Sequence, residues 1–155
     1  MIETIGMDEP GRWEETVRSF GRHDVYYLPG YARGLMLNGD GEPLLVHYEG
    51  EGCRAVSVVM RRDVSACPEL RGAVGPGEVF DLATPYGYGG PLVEGGDASG
   101  FASEYEGLCR RMGVVSEFVR FHPMLRNWEG LEGLYGVERL GDTVWVDCSS
   151  PEAVW

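Results

Sequence analysis

The chain is expected to fold as an α/β domain (α+β under some schemes), built on a mixed central sheet with helices on both faces. Three observations predict this. Amphipathic helical stripes run through 8–21 and 99–112, two β-rich stretches at 44–48 and 54–62 are close neighbours, and a strand–helix–strand unit occupies 79–83, 99–112 and 114–121. Close neighbours in sequence make an antiparallel hairpin, whereas a strand returning through a helix lies parallel to its partner by a right-handed crossover. A sheet holding both is mixed.

Each element has its own signature. In DEPGRWEETVRSFG (8–21), Trp13, Val17 and Phe20 fall on one helical face, Asp8 and Pro10 mark the start, and Gly21 marks the stop. PGYARGLMLNG (29–39) predicts a second, short helix, with Pro29 in the first turn and Asn38-Gly39 at its end. The runs 44–48 and 54–62 flank EGEG, and Ala55, Ser57 and Val59 alternate against Val56, Val58 and Met60. A Gly/Pro segment (65–78) leads to a strand at 79–83. A helix from about Ser99 to Met112 carries the stripe Phe101, Tyr105, Leu108 and Met112, and Gly113 ends it. VVSEFVRFHP (114–123) has apolar residues at both parities, the pattern of a central parallel strand. A short helix over 123–132 and a hairpin in VERLGDTVWVDCS (137–149), turning at Gly141-Asp142, complete the order.

Composition narrows the function. The 155 residues suit one domain, here 1–148. A net charge of −12 weighs against direct nucleic-acid binding by this chain. All thirteen cations are arginine, which removes Schiff-base and Walker-type lysines and leaves anion recognition to Arg forks or backbone amides. Cys53, Cys67, Cys109 and Cys148 lack CxxC spacing and read as reduced structural thiols. His23, His47 and His122 are scattered, so no metal is expected. No run approaches the length of a membrane span, and MIETIGMDEP lacks the layout of a secretory signal, so the expected location is the cytoplasm.

Several motifs fail on spacing. RGAVGPG (71–77) approximates a phosphate loop, but Arg71 is one residue too far from Gly75 and a strand follows, so a plain loop is expected. GDGE and EGEG are turns without calcium-ligand spacing, and no Gly-x-Ser-x-Gly elbow exists. Two stretches remain. In DLATPYGYGGPLVEGG (81–96), glycines let a ligand approach the backbone, prolines stiffen the path, and tyrosines offer flat faces with a polar tip. In SEFVRFHP (116–123), Glu117 and Arg120 must either pair or face a polar groove, with His122 at the strand end and Asn127 a turn beyond. The candidate binding residues are therefore Tyr86, Gly87, Tyr88, Gly89 and Gly90, joined by Arg120, His122 and Asn127. Arg120 suits a phosphate or carboxylate, and the tyrosines suit a sugar or peptide. No catalytic residue is assigned.

Two helices, three antiparallel strands and a crossover follow the order of the GNAT acyltransferase fold. DVYYLPGY (24–31), DLATPYGYGGPL (81–92) and VSEFVRFHPMLRN (115–127) resemble the N-terminal half of FemAB-like proteins, which are tandem GNAT-fold transferases related to the lipid II glycyltransferases of peptidoglycan cross-bridges. The resemblance implies transfer of an acyl or aminoacyl group to an amine on a small-molecule or peptidoglycan-precursor acceptor. It implies aminoacyl-tRNA or acyl-CoA as donor and a second GNAT-like domain packed on this one; no cofactor is firmly implied. CSSPEAVW (148–155) offers a capping box of Ser149 and Glu152 with Pro151 in the first turn. A helix starting there and stopping at Trp155 suggests that 149–155 leads into that second domain. Two other functions fit the same order: a free-standing GNAT N-acetyltransferase using acetyl-CoA, and a non-catalytic binding module.

Overall fold

The computed structural model describes residues 1–50, 52–70, 72–144, 146–147 and 149–150. Arg71 of the RGAVGPG loop, Cys148, and Pro151, Glu152 and Trp155 of the capping-box segment lie outside the described residues, as does Trp145 of the expected hairpin.

The chain runs β1 (Ile2–Ile5), α1 (Pro10–Ser19), α2 (Pro29–Asn38), β2 (Glu42–Gly50), β3 (Cys53–Asp63), β4 (Phe80–Ala83), β5 (Leu92–Gly95), α3 (Ser99–Arg111) and β6 (Val114–Phe118), with three short 3-10 turns between them. The strands form one mixed sheet in the order β1-β2-β3-β4-β6, with β5 also paired to β3. The long β2–β3 hairpin is its backbone, in register from Glu42↔Arg61 to Gly50↔Cys53.

Alternation in β3 divides the core into two layers. Ala55 and Val59 pack with Phe101, Tyr105 and Leu108 of α3. Val56 and Val58 point the other way, to Trp13 and Val17 of α1 and Ala32 of α2. Successive strand side chains point to opposite faces, so one strand serves both helical layers. The helical stripes hold as expected: Trp13, Val17 and Phe20 are fully buried, as are Phe101 and Tyr105. Gly39 closes α2 in the left-handed conformation (φ 93°), where a side chain would be strained.

The far edge of β3 is shared. β4 pairs with its Met60–Asp63 end and β5 with its Cys53–Val56 end, both antiparallel. The two short strands therefore read as one interrupted strand, and residues 84–91 are the interruption. β4 also pairs parallel with β6, with an irregularity between Phe80 and Asp81, as the strand–helix–strand unit requires.

Five expectations change. Residues 2–5 form an edge strand antiparallel to β2, and 92–95 form a strand within what reads as loop. β6 is the outermost strand of the described sheet, with Val115 and Phe118 exposed, so its apolar residues at both parities do not mark a central strand. Residues 124–130 form turns in place of a helix, because the backbone turns left-handed at Arg126 (φ 52°) and Gly130 (φ 79°). Among the described residues of 137–149 there is no strand, so the hairpin at Gly141-Asp142 is absent there. No described helix is long and apolar enough to cross a membrane.

Candidate functional site

The interruption between β4 and β5 leaves the sheet edge and runs beside the chain that continues β6. Thr84 N–H donates to the Phe118 carbonyl (3.0 Å), Gly89 N–H to the Arg120 carbonyl (2.8 Å), and Arg120 N–H to Thr84 Oγ1 (3.2 Å). Gly89 and Phe121 complete an isolated parallel bridge. The loop thus extends the β4–β6 pairing past the carboxyl ends of both strands, where open α/β sheets place ligands.

Local sequence dictates its shape. Gly87 (φ 106°) lies against Tyr26, and a Cβ there would stand 2.4 Å from that ring. Gly90 (φ 87°) lies against Phe121 and Val119, with the nearest ring carbon 2.8 Å from a built Cβ. Both positions need glycine for backbone conformation and for space.

Asn127 locks the loop from beneath. Its amide nitrogen lies 2.9 Å from the Gly89 carbonyl, 3.1 Å from the Pro91 carbonyl and 3.2 Å from the Tyr27 hydroxyl, and its oxygen accepts from His122 N–H at 2.9 Å. Tyr27 OH donates to the Gly90 carbonyl (2.8 Å), while Trp13 Nε1–H donates to the Tyr27 carbonyl (2.8 Å). Burial, with the Asp24 charge adding to it, pushes the Tyr27 phenol far above its ordinary pKa, so it stays a neutral donor.

His122 is used up in the same way. Leu125 N–H donates to its Nδ1 (3.2 Å), so that nitrogen carries the lone pair, and the proton sits on Nε2, 3.3 Å from Asp24 Oδ2. A buried imidazole with both nitrogens engaged braces the site and has no free nitrogen for a substrate. Its ring packs at 5.4 Å from Tyr88 and 6.0 Å from Tyr26, and Tyr26 meets Tyr31 and Tyr88 edge-on at 5.1 and 5.9 Å.

The outer surface is what a ligand can meet. Tyr86 is 78% exposed, and its carbonyl, not its ring, is held by Tyr31 OH (2.7 Å). The exposed Arg120 guanidinium has no partner among the described residues, although its backbone is pinned to the loop. Glu117 does not pair with it. The Glu117 carboxylate turns to the α3 layer and accepts from Tyr105 OH (2.9 Å) and Tyr135 OH (3.2 Å). Desolvation, which those two hydrogen bonds only partly offset, raises the Glu117 pKa to about 7. Burial, reinforced by that carboxylate, pushes the neighbouring Cys109 thiol up to about 11, so it is not a nucleophile.

All eight residues singled out in the sequence lie in or beside this loop, but they divide. Gly87, Gly89, Gly90, His122 and Asn127 build it, Tyr88 packs its inner side, and Tyr86 and Arg120 present its surface. The sequence reading omits Asp24, Tyr26, Tyr27 and Tyr31 from the site. Four aromatic or acidic positions within eight residues were the available signal, since a tyrosine cluster that dense needs polar partners. Among the described residues no group of three or more His, Cys, Asp or Glu is arranged to hold a metal ion.

The molecule is thus a mixed α/β domain presenting a braced aromatic loop where two parallel strands end. Compared with known proteins, the chain matches no family model, no curated protein and no solved structure.

Proposed function

We propose that this chain is the acceptor-binding part of a FemAB-like acyl- or aminoacyltransferase, a GNAT-type domain that holds a small-molecule or peptidoglycan-precursor amine for transfer. One observation carries this reading: the loop 84–91 is held rigid by Asn127, Tyr27 and His122 while the Tyr86 ring and the Arg120 guanidinium stay free at its surface. Pre-organising a loop while leaving flat and charged groups unengaged favours binding, because little ordering remains to be done when a ligand arrives. Helices on both faces and the crossover from β4 to β6 are consistent with the GNAT order. In this reading a second GNAT-like domain would complete the transfer site and receive the acyl-CoA or aminoacyl-tRNA donor.

The engagement of both His122 nitrogens supports a second reading, a non-catalytic module with the same loop. Titration calorimetry of the chain with a nucleotide-linked peptidoglycan pentapeptide, and separately with acetyl-CoA, separates the readings. Saturable binding of the pentapeptide alone supports the proposal. Micromolar acetyl-CoA binding would replace it with a free-standing N-acetyltransferase. Pentapeptide binding without turnover by a chain that includes the second domain would leave the module.

A further inference from the structure

We propose that the groove between α1 and α2, apart from the tyrosine loop, binds a small aliphatic carboxylate. The groove is open to solvent and has a volume of about 570 Å³. Met7 and Met36 line it, and their flexible thioethers accommodate apolar chains of varied shape. Gly11 and Gly30 line it too, and a Cβ built on either meets nothing within 4 Å, so the open space reaches both helix backbones.

Charge decides the occupant. Two charged side chains line the groove, Glu14 and Arg33. Glu14 is neutralised by Arg18 at 2.7 Å, one turn along α1. The Arg33 side chain, like that of Arg120, has no hydrogen bond or ion pair among the described residues, whereas Arg12, Arg54, Arg61, Arg62, Arg126 and Arg139 each hold a carboxylate. The groove therefore carries one uncompensated positive charge beside an apolar lining. A guanidinium matches a carboxylate in a two-pronged hydrogen-bonded pair, and the methionines match an aliphatic tail. This inference does not depend on the transferase reading.

The test is an amide NMR titration of the full chain with octanoate, with 1-octanol as its uncharged counterpart. Octanoate is expected to shift Gly11, Gly30 and Arg33 saturably while leaving Gly87 and Gly89 unmoved, and octanol to bind at least about tenfold more weakly. Arg33→Gln is expected to lower octanoate affinity to the level of octanol. Gly30→Phe, which places a ring in the open space, is expected to abolish binding of both with no fall in melting temperature. Shifts confined to the tyrosine loop, equal affinity for octanol and octanoate, or unchanged octanoate affinity in Arg33→Gln would each overturn the proposal.

Discussion

Two tyrosine-rich clusters on opposite sides of the sheet solve the problem of buried polar groups differently. Beneath the loop, Tyr27, Asn127 and His122 bond to each other and to the carbonyls of Gly89, Gly90 and Pro91, and the one charge, on Asp24, sits half-exposed at the rim. In the α3 layer, Tyr105 and Tyr135 converge on a carboxylate that has no cation beside it. Hydrogen bonds alone suffice for neutral groups, whereas a buried charge without a counter-charge bears a desolvation cost that two phenols only partly relieve. The first cluster should therefore act as a hydrogen-bonded brace and the second as a titrating weak point.

The sharpest way to break the brace is Asn127→Ala. It strips partners from the carbonyls of Gly89 and Pro91 and from His122 N–H in one step. A loss of about 3 kcal/mol in urea unfolding is expected, since each half-buried group left unpaired costs on the order of 1 kcal/mol or more. Asn127→Asp, nearly the same shape, should cost as much, because it would aim carboxylate oxygens at two carbonyls.

The second cluster is probed by pH. Glu117 has its folded pKa raised to about 7 from an ordinary 4.5, so the native state holds the proton more tightly than the unfolded chain. Its contribution is fully present below pH 4.5 and is lost as pH rises through 7. Unfolding free energy should fall by about 2–3 kcal/mol across that window from this group. Glu117→Gln, which keeps the shape and cannot ionise, should flatten the fall and be the more stable protein at pH 8. An unchanged pH profile in that variant would remove the contrast between the clusters.

This contrast was only half legible in the sequence. The stripes Trp13–Val17–Phe20 and Phe101–Tyr105–Leu108 fix two helices, α1 and α3, because a period near 3.6 is readable along the chain itself. The β2–β3 alternation is equally local. β1 and β5 are four residues each, too short for periodicity, and exist because β2 and β3 offer open edges to pair with. The strand at 114–118 is present, but its apolar residues at both parities mislead about its place in the sheet: Glu117 faces inward to two tyrosines, while Phe118 stays 59% exposed on the uncovered side. Within the site, glycine and tyrosine spacing located the loop. That His122 is a brace depends on Asp24, ninety-eight positions away, and no local pattern encodes that pairing.

A smaller perturbation tests how far the brace depends on any single bond. Tyr27→Phe removes the hydroxyl that donates to the Gly90 carbonyl, but Asn127 keeps its bonds to Gly89 and Pro91. A loss of about 1.5 kcal/mol is expected, roughly half that of Asn127→Ala, read from the same urea curves. Equal losses would mean that the two side chains act as one unit, and a double-mutant cycle would then show the coupling directly.

The smallest stability effect should come from the residue most important to the proposed function. The Tyr86 ring is 78% exposed, and the contact that pins this residue, from Tyr31 OH, goes to its backbone carbonyl. Tyr86→Ala removes the ring without removing that bond, so the unfolding free energy should change by no more than about 0.5 kcal/mol. Pentapeptide affinity measured by calorimetry should nonetheless fall about tenfold, the share of one well-placed aromatic contact. Tyr88 offers no such separation, because its ring packs on Tyr26 and His122, so its loss disturbs loop and ligand together. If Tyr86→Ala leaves affinity intact while Tyr88→Ala lowers stability, the aromatic loop is scaffold throughout, and the ligand must be sought elsewhere on the sheet.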